Sequence, residues 1–304
     1  MDEIKRQILP AGLWVIATPI GNLQDISLRA KNALEDADGI LCEDTRRTAA
    51  LISALGVRSR ISKLVRLDAH AKPAGIEAAL ARLKNGESLA LVTDAGTPAI
   101  SDPGSALVEA AHRAGIQVTP IPGPSAVMAL LSIAGFEETS FTFRGFFPRR
   151  EVERRNELAA CAGSGLSRVF VWFESPERIS EALAVVARER PRFVVIVAKE
   201  LTKLHEKIFR GGAVEVAAAI AAEIDQQGAR GEWCFGVHTA RNAKESCELG
   251  QVGQTDESSE WVKALRCLAD ARVSASDAVR QVSHHFGVPK NTVYERALKI
   301  FSKK

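Results

Sequence analysis

Three apolar runs in this 304-residue chain end directly on charged residues: "GILC" on Glu43 and Asp44, "SLALVT" on Asp94, and "FVVIVA" on Lys199 and Glu200. The carboxyl end of a buried strand is where open α/β sheets bind small molecules. Charged groups set there can face an opposite charge, accept hydrogen bonds from hydroxyls, or move a proton. After Asp94 the chain continues "AGTPAISDPG", with a second acid, Asp102, before another Pro-Gly pair. So little side chain lets the backbone itself approach a ligand, although Gly and Pro serve equally well in a plain βα turn. Glu43 and Asp44 carry a similar pair of readings. They are either site chemistry or an N-cap for the helix "TRRTAAL" with a salt bridge to Arg46 or Arg47.

Four more loops share this composition and position: "TPIGN" (18–22), "PGPSA" (122–126), "FESP" (173–176) and "ELTK" (200–203). With "DAGTP" (94–98) they make five, each following an apolar run. Loops of this kind gather along one edge of their sheets, and two domains facing each other across such edges would enclose a small cofactor. The dinucleotide fingerprint GxGxxG is absent, as are HExxH, an EF-hand loop and a Walker A sequence. The cysteines Cys42, Cys161, Cys234, Cys247 and Cys267 are scattered, with no C-x-x-C pair. That pattern argues against a disulfide framework and against a zinc site. No protein metal site is expected.

The elements that must position these loops follow from periodicity. In the first half, apolar runs at 13–17, 39–45, 88–94 and 116–123 alternate with amphipathic stretches at 28–37, 46–55, 75–86 and 104–115. Continuous apolar strands separated by helices of this length predict βαβ units and a mainly parallel sheet. Beyond "IPGPSA" come a helix (126–134), strands at 140–147 and 168–174, a helix (176–189), strands at 193–199 and 205–211, a helix (213–226) and a strand (231–239). Strands adjacent in sequence without an intervening helix predict a mixed sheet here. The expected fold class is therefore α/β, with two α/β domains and a cofactor cleft between them, plus a helical extension. The boundaries are 1–121, 122–240, a polar linker at 241–259 and a helical tail at 260–304. The tail's last part, helix–"GVPKNT"–helix, has helix-turn-helix spacing.

Composition fits a globular protein, with 46% apolar and 25% charged residues and a net charge of +3. At that net charge any nucleic-acid contact must be local. No apolar run reaches a membrane span, and "MDEIKRQILP" lacks a signal-peptide core. The expected location is cytoplasmic.

The loops in their order resemble the tetrapyrrole-methylase superfamily of S-adenosylmethionine-dependent methyltransferases, and within it the ribosomal small subunit methyltransferase I family. The resemblance rests on "ATPIGNLQDISLRA" (17–30), "EDTRRT" (43–48), "DAGTPAISDPG" (94–104), "PIPGPSAV" (120–127), "GFFPR" (145–149), "FESPERI" (173–179) and "KELTKLHE" (199–206). These segments span about two-thirds of the chain in the family's order, and the tail resembles the family's C-terminal extension. The resemblance implies 2′-O-methylation of a cytidine ribose in the decoding region of 16S ribosomal RNA. S-adenosylmethionine would be the donor, naked RNA or the 30S subunit the partner, and the enzyme a homodimer. Matched by position, it implies donor contacts at Pro19, Asp94, Gly96, Ser125, Ala126, Phe173, Thr202 and Trp233.

Methyl transfer from a sulfonium is an in-line displacement, so alignment supplies most of the catalysis, and a ribose hydroxyl needs a nearby base or cation. Candidates are Glu43, Asp44, Lys199 and Glu200, with His70 and Lys203 beside them. This chain reads "LDAHAKP" (67–73) where the family often carries a His-Glu-His-Asn-like run, so Asp68 and Ala71 depart from the pattern. "FTFRGFFPRREVERR" (141–155) interleaves aromatics with Arg144, Arg149 and Arg150, a composition suited to stacked bases and paired phosphates. The alternative is an amphipathic strand and helix whose arginines pair with Glu151, Glu153 and Glu157. Arg46 is a further RNA candidate. Two rival functions remain: a tetrapyrrole methyltransferase of the same superfamily, and a non-catalytic RNA-binding protein on that scaffold.

Overall fold

The computed structural model describes residues 9–57, 64–67, 73–100, 104–164, 167–239, 260–270, 273–286, 288 and 290–301. The chain divides into two compact units, Met1–Ala240 and Arg241–Lys304.

The first unit holds two five-stranded sheets. One contains β1 (Gly12–Ile16), β2 (Gly39–Cys42), β3 (Leu64–Arg66), β4 (Ser88–Leu91) and β5 (Val118–Ile121) in the order β3-β2-β4-β1-β5. Every pairing in it is parallel. β2 and β4 are buried on both faces, which is why they read as unbroken apolar runs. On one face Ile16, Ile40, Cys42 and Ala90 pack on α1 (Leu28–Asp36) and α2 (Thr45–Ala54) through Ala33, Leu34 and Ile52. On the other, Leu13, Leu41, Leu89 and Leu91 pack on α3 (Pro73–Lys84) and α4 (Ser105–Arg113) through Ala79, Leu83 and Leu107.

The second sheet contains β6 (Phe141–Phe146), β7 (Val169–Glu174), β8 (Val194–Lys199), β9 (Lys207–Gly212) and β10 (Trp233–His238) in the order β6-β7-β10-β8-β9. It is mixed: β6 and β7 run parallel and the other pairings are antiparallel. Its larger core joins Trp172, Val195, Val197 and Phe235 to α6 (Glu151–Ala162), α7 (Ile179–Glu189) and α8 (Ala213–Gln227). The opposite face, with Val171, Ile196, Ala198 and Cys234, packs on α5 (Ala126–Ala134).

Two expectations change. The mixed sheet is present, but β6 and β7 are not directly joined: α6 forms the crossover that their parallel pairing requires. Also, β2 stops at Cys42 and β4 at Leu91, so Glu43, Asp44 and Asp94 stand beyond the strands, in loops. The second unit contains α9 (Glu260–Asp270), α10 (Ala275–Phe286) and α11 (Lys290–Phe301), closed around Leu265, Val282, Val293 and Ala297. The linker lies outside the described residues. Among the described residues, no helix is long and apolar enough to cross a membrane.

Candidate active site

Adjacent strands β1 and β4 send the chain to helices on opposite faces of their sheet, α1 on one and α4 on the other. Such a reversal opens a crevice at the strands' carboxyl ends. The loops that leave it are tied together. Thr18 and Gly96 exchange backbone hydrogen bonds of 2.9 and 3.0 Å, and the Thr18 hydroxyl donates to the Thr93 carbonyl at 3.1 Å. Thr97 Oγ1 donates to the Pro124 carbonyl at 3.2 Å, which brings in the loop after β5.

The same rim reaches the second sheet. The Asn22 amide donates to Thr202 Oγ1 at 3.1 Å. Gly21 lies so close to the 201–203 turn that a Cβ there would stand 2.4 Å from Lys203 Cγ and 2.9 Å from the Leu201 carbonyl. Only glycine fits. Three non-glycine residues of these loops, Ala99, Glu200 and Thr202, hold φ between 54° and 66°, a region that costs side-chain-bearing residues energy.

Between the two rims is a cleft of about 440 Å³, within the range of ~300–1,000 Å³ usual for small-ligand sites. Its wall is largely bare backbone at Ala95, Gly96, Ser125 and Ala126, with Phe146, Phe173 and Trp233 as the aromatic surface. The α5 start, capped by Ser125 Oγ on the Met128 amide at 3.4 Å, opens onto it and favours an anionic group. Among the described residues four acids line the cleft, Glu43, Asp94, Glu174 and Glu232, against one cation, Arg47. Arg47 Nη1 meets Asp94 Oδ2 at 3.1 Å, while Asp94 Oδ1 is buried with no hydrogen-bond partner among the described residues. Glu174 is similar: one oxygen takes Arg178 and the Ser175 amide, and the other is buried without a partner among the described residues. A cationic ligand with hydroxyl or ammonium donors fits this arrangement. Burial pushes the Cys234 thiol up to about 12, so this lining residue stays neutral and is no nucleophile.

Of the donor-site residues expected from the sequence, Asp94, Gly96, Ser125, Ala126, Phe173 and Trp233 line the cleft. Pro19 and Thr202 do not, and stand instead in the two loops that meet at its edge. Among the catalytic candidates Glu43 lines the cleft. Asp44 is the α2 N-cap, accepting from the Arg46 amide at 2.8 Å, a bond that holds its carboxyl below the usual aspartate range. Lys199 points to the helix-covered face. There its ammonium bonds Glu223 at 2.8 Å and sits 5.3 Å from the Trp233 ring centre. Glu200 accepts from Lys203 Nζ and from the Glu232 amide, both at 2.8 Å. Burial opposes its charge, but those hydrogen bonds win and its carboxyl is held below the usual glutamate range.

The structure therefore brings Glu43 to the cleft and sets Asp44, Lys199 and Glu200 in structural contacts. Arg144 forms a two-pronged pair with Glu157 at 2.7 and 2.8 Å, and Arg150 pairs with Glu153. These are the pairings of the alternative reading. Arg149 is exposed and has no ion-pair partner among the described residues, and Arg46 is exposed beside Asp44. The 68–72 segment with His70 lies outside the described residues. Sequence reasoning did not bring Glu174, Glu232 or Phe146 forward as individual site residues, and it favoured Arg46 over Arg47. The α2 cap is the available signal for Arg47: with Asp44 as N-cap, the third helical residue turns back over the helix start.

Comparison with known proteins agrees with this architecture. Residues 12–217 match the family model described as Tetrapyrrole (Corrin/Porphyrin) Methylases, and residues 255–300 match that of the RsmI C-terminal HTH domain. A ribosomal RNA small subunit methyltransferase I from Xylella fastidiosa is 41% identical over 94% of this chain and 98% of its own. One from Neisseria meningitidis serogroup B is 37% identical over 98% of this chain and 97% of its own. Among solved structures, a diphthine synthase superposes with TM-score 0.52 at 17% identity, covering 74% of this chain and 88% of its own. A Thermus thermophilus uroporphyrin-III C-methyltransferase, complexed with S-adenyl homocysteine, superposes with TM-score 0.50 at 14% identity, covering 75% and 97%. The chain belongs to the tetrapyrrole methylases and, within them, to the ribosomal RNA small subunit methyltransferase I family.

Proposed function

We propose that this enzyme transfers a methyl group from S-adenosylmethionine to the 2′-hydroxyl of a cytidine ribose in the decoding region of 16S ribosomal RNA. It would act in the cytoplasm as a homodimer on the 30S subunit or its RNA. The observation that carries the reading is the cleft itself: among the described residues, four acids stand around bare backbone, and a buried Asp94 oxygen has no partner. A polyanion alone would not select such a wall, whereas a cationic methyl donor would.

When bound, the donor supplies a methyl group made electrophilic by its sulfonium. The residues of the chain do the rest. Asp94 accepts from the donor's hydroxyl or ammonium groups, and the amides at the α5 start face its carboxylate. Gly96, Ala126 and Phe173 fit against its apolar parts. Glu43 accepts the ribose proton, since among the four catalytic candidates it is the one that lines the cleft. Thr202 ties the two rims together through the Asn22 amide, and Pro19 stands in that same loop beside the donor. Trp233 stands at the edge of the cleft, its ring packed on the α8 side beside Lys199.

The test is nucleoside mass spectrometry of 16S ribosomal RNA from a deletion strain with and without this gene. The 2′-O-methylcytidine should vanish and return. A strain that keeps the modified nucleoside without the gene, or purified enzyme that methylates only a porphyrinogen, overturns the assignment.

A further inference from the structure

At the end of β6 the phenylalanine pair Phe146–Phe147 splits between two environments. The register of β6 on β7 runs Phe141↔Val169 and Phe143↔Val171, then jumps to Phe146↔Phe173, so β6 carries one extra residue. Gly145 sits at the jump with φ 71°, the left-handed conformation that a bulge glycine supplies. In a regular strand Gly145 would share the face of Phe143, and Phe146 would turn to the opposite side. The bulge resets that alternation. Phe147 enters the core against Trp172 and Phe235, with ring centres 5.4 and 5.3 Å apart, while Phe146 stands over the cleft face beside Phe173.

Phe146 is 61% exposed and lines the cleft. Behind it Phe173 supports the ring edge-on, with centres 5.9 Å apart at 67°, and Phe173 is itself braced edge-on by Phe143 at 4.9 Å. A single exposed ring is ordinary on a surface, but this one stands at a cleft with two further rings behind it, so its open face offers a stacking platform. Its backing fixes its position without using its open face. β6 is also the edge strand of its sheet, so a bulky partner can reach the ring. The exposed Arg149 follows three residues later.

We infer that Phe146 is a positioning residue for the acceptor: it stacks the base of the nucleotide whose ribose is methylated, or of its immediate neighbour, at the mouth of the cleft. This rests on the proposed RNA reaction. A ribose can reach a cleft built around Asp94 and Glu43 only if its nucleotide leaves the surrounding stack. An aromatic face then replaces the stacking that is lost. Stacking tolerates any base, so Phe146 orients the nucleotide without reading its sequence.

The test compares Phe146→Ala, Phe146→Leu and Phe146→Trp in methyl transfer to 30S subunits, with donor binding measured by calorimetry. Ala and Leu should lower kcat/KM for the subunit roughly ten- to hundred-fold, the scale of one lost base–aromatic stack, with donor affinity within about two-fold of wild type. Trp should retain most of the activity. Leu equal to wild type would show that apolar bulk suffices and overturn the inference. So would a fall in donor affinity that matches the fall in kcat/KM, or a change in oligomeric state that accounts for it. If the wild-type enzyme transfers nothing to 30S subunits, the proposed function fails first.

Discussion

The two sheet rims that face the cleft use charge differently. On the rim of the second sheet most strand-end charges are fastened to protein. Lys199 and Lys207 clamp Glu223 at 2.8 and 2.7 Å, and Lys203 bonds Glu200 at 2.8 Å and Glu232 at 3.1 Å. Glu174 is the exception: Arg178 holds one of its oxygens and the other has no partner among the described residues. On the rim of the parallel sheet, Asp94 shares one oxygen with an exposed Arg47, while its other oxygen and the Thr93 hydroxyl are buried without a partner among the described residues. A charge already bound to its neighbours has little left to offer a ligand. In the proposed reaction the parallel rim would then carry most of the chemistry, and the mixed rim most of the wall on which it works.

Lys199 is the sharpest place to break that division. Lys199→Met leaves Glu223 in a buried position with only the half-exposed Lys207, and loss of one partner of a buried pair costs about 3 kcal/mol. Urea titration should show that loss, while the protein that remains folded keeps its donor affinity. Unchanged stability with abolished methyl transfer would instead return Lys199 to the catalytic set and erase the contrast between the rims.

Asp94→Ala tests the other side. It removes the buried acceptor and strands Arg47, and should weaken donor binding by ~1–3 kcal/mol, the scale of a lost charged hydrogen bond. Calorimetry with S-adenosylmethionine measures it directly. Wild-type affinity in that variant would move the donor off the parallel rim altogether.

The fold was largely legible because its strongest signals are local. β2 and β4 read as strands from unbroken apolar runs, and Ser27, Asp44 and Ser125 announce helix starts by accepting from the amides two or three residues on. α6 entered only as the alternative reading of its segment, for a specific reason. Its buried stripe is Arg154, Leu158 and Cys161, so a fully buried arginine heads what would otherwise read as an apolar face. That guanidinium reaches the Pro148 carbonyl at 2.8 Å and the Glu181 carboxylate at 3.2 Å, contacts made only in the folded chain.

The site was legible as loops but not as directions. Ala198 and Lys199 are neighbours in sequence, yet alternation sends Ala198 toward α5 and the cleft and Lys199 toward α8. Which phase faces the cleft depends on where α5 and α8 pack, a tertiary fact. Phe146 depends in the same way on a bulge that no periodicity announces.

The smallest predicted effect separates two arginines of one segment. Arg144 is held by both oxygens of Glu157, which also accepts from the Trp172 indole at 3.2 Å, so its charge is neutralised within the protein. Arg149, five residues on, is exposed and has no ion-pair partner among the described residues. A guanidinium can neutralise a phosphate and release its counterion only if it is not already spent on a carboxylate. Arg149→Ala should therefore lower the slope of log affinity against log salt for ribosomal RNA by about one, with donor binding intact. Arg144→Ala should leave that slope nearly unchanged and show its effect in thermal stability. Equal slopes for Arg149→Ala and wild type would remove this segment from the RNA interface, and a lowered slope for Arg144→Ala would mean that RNA competes Glu157 away from its partner.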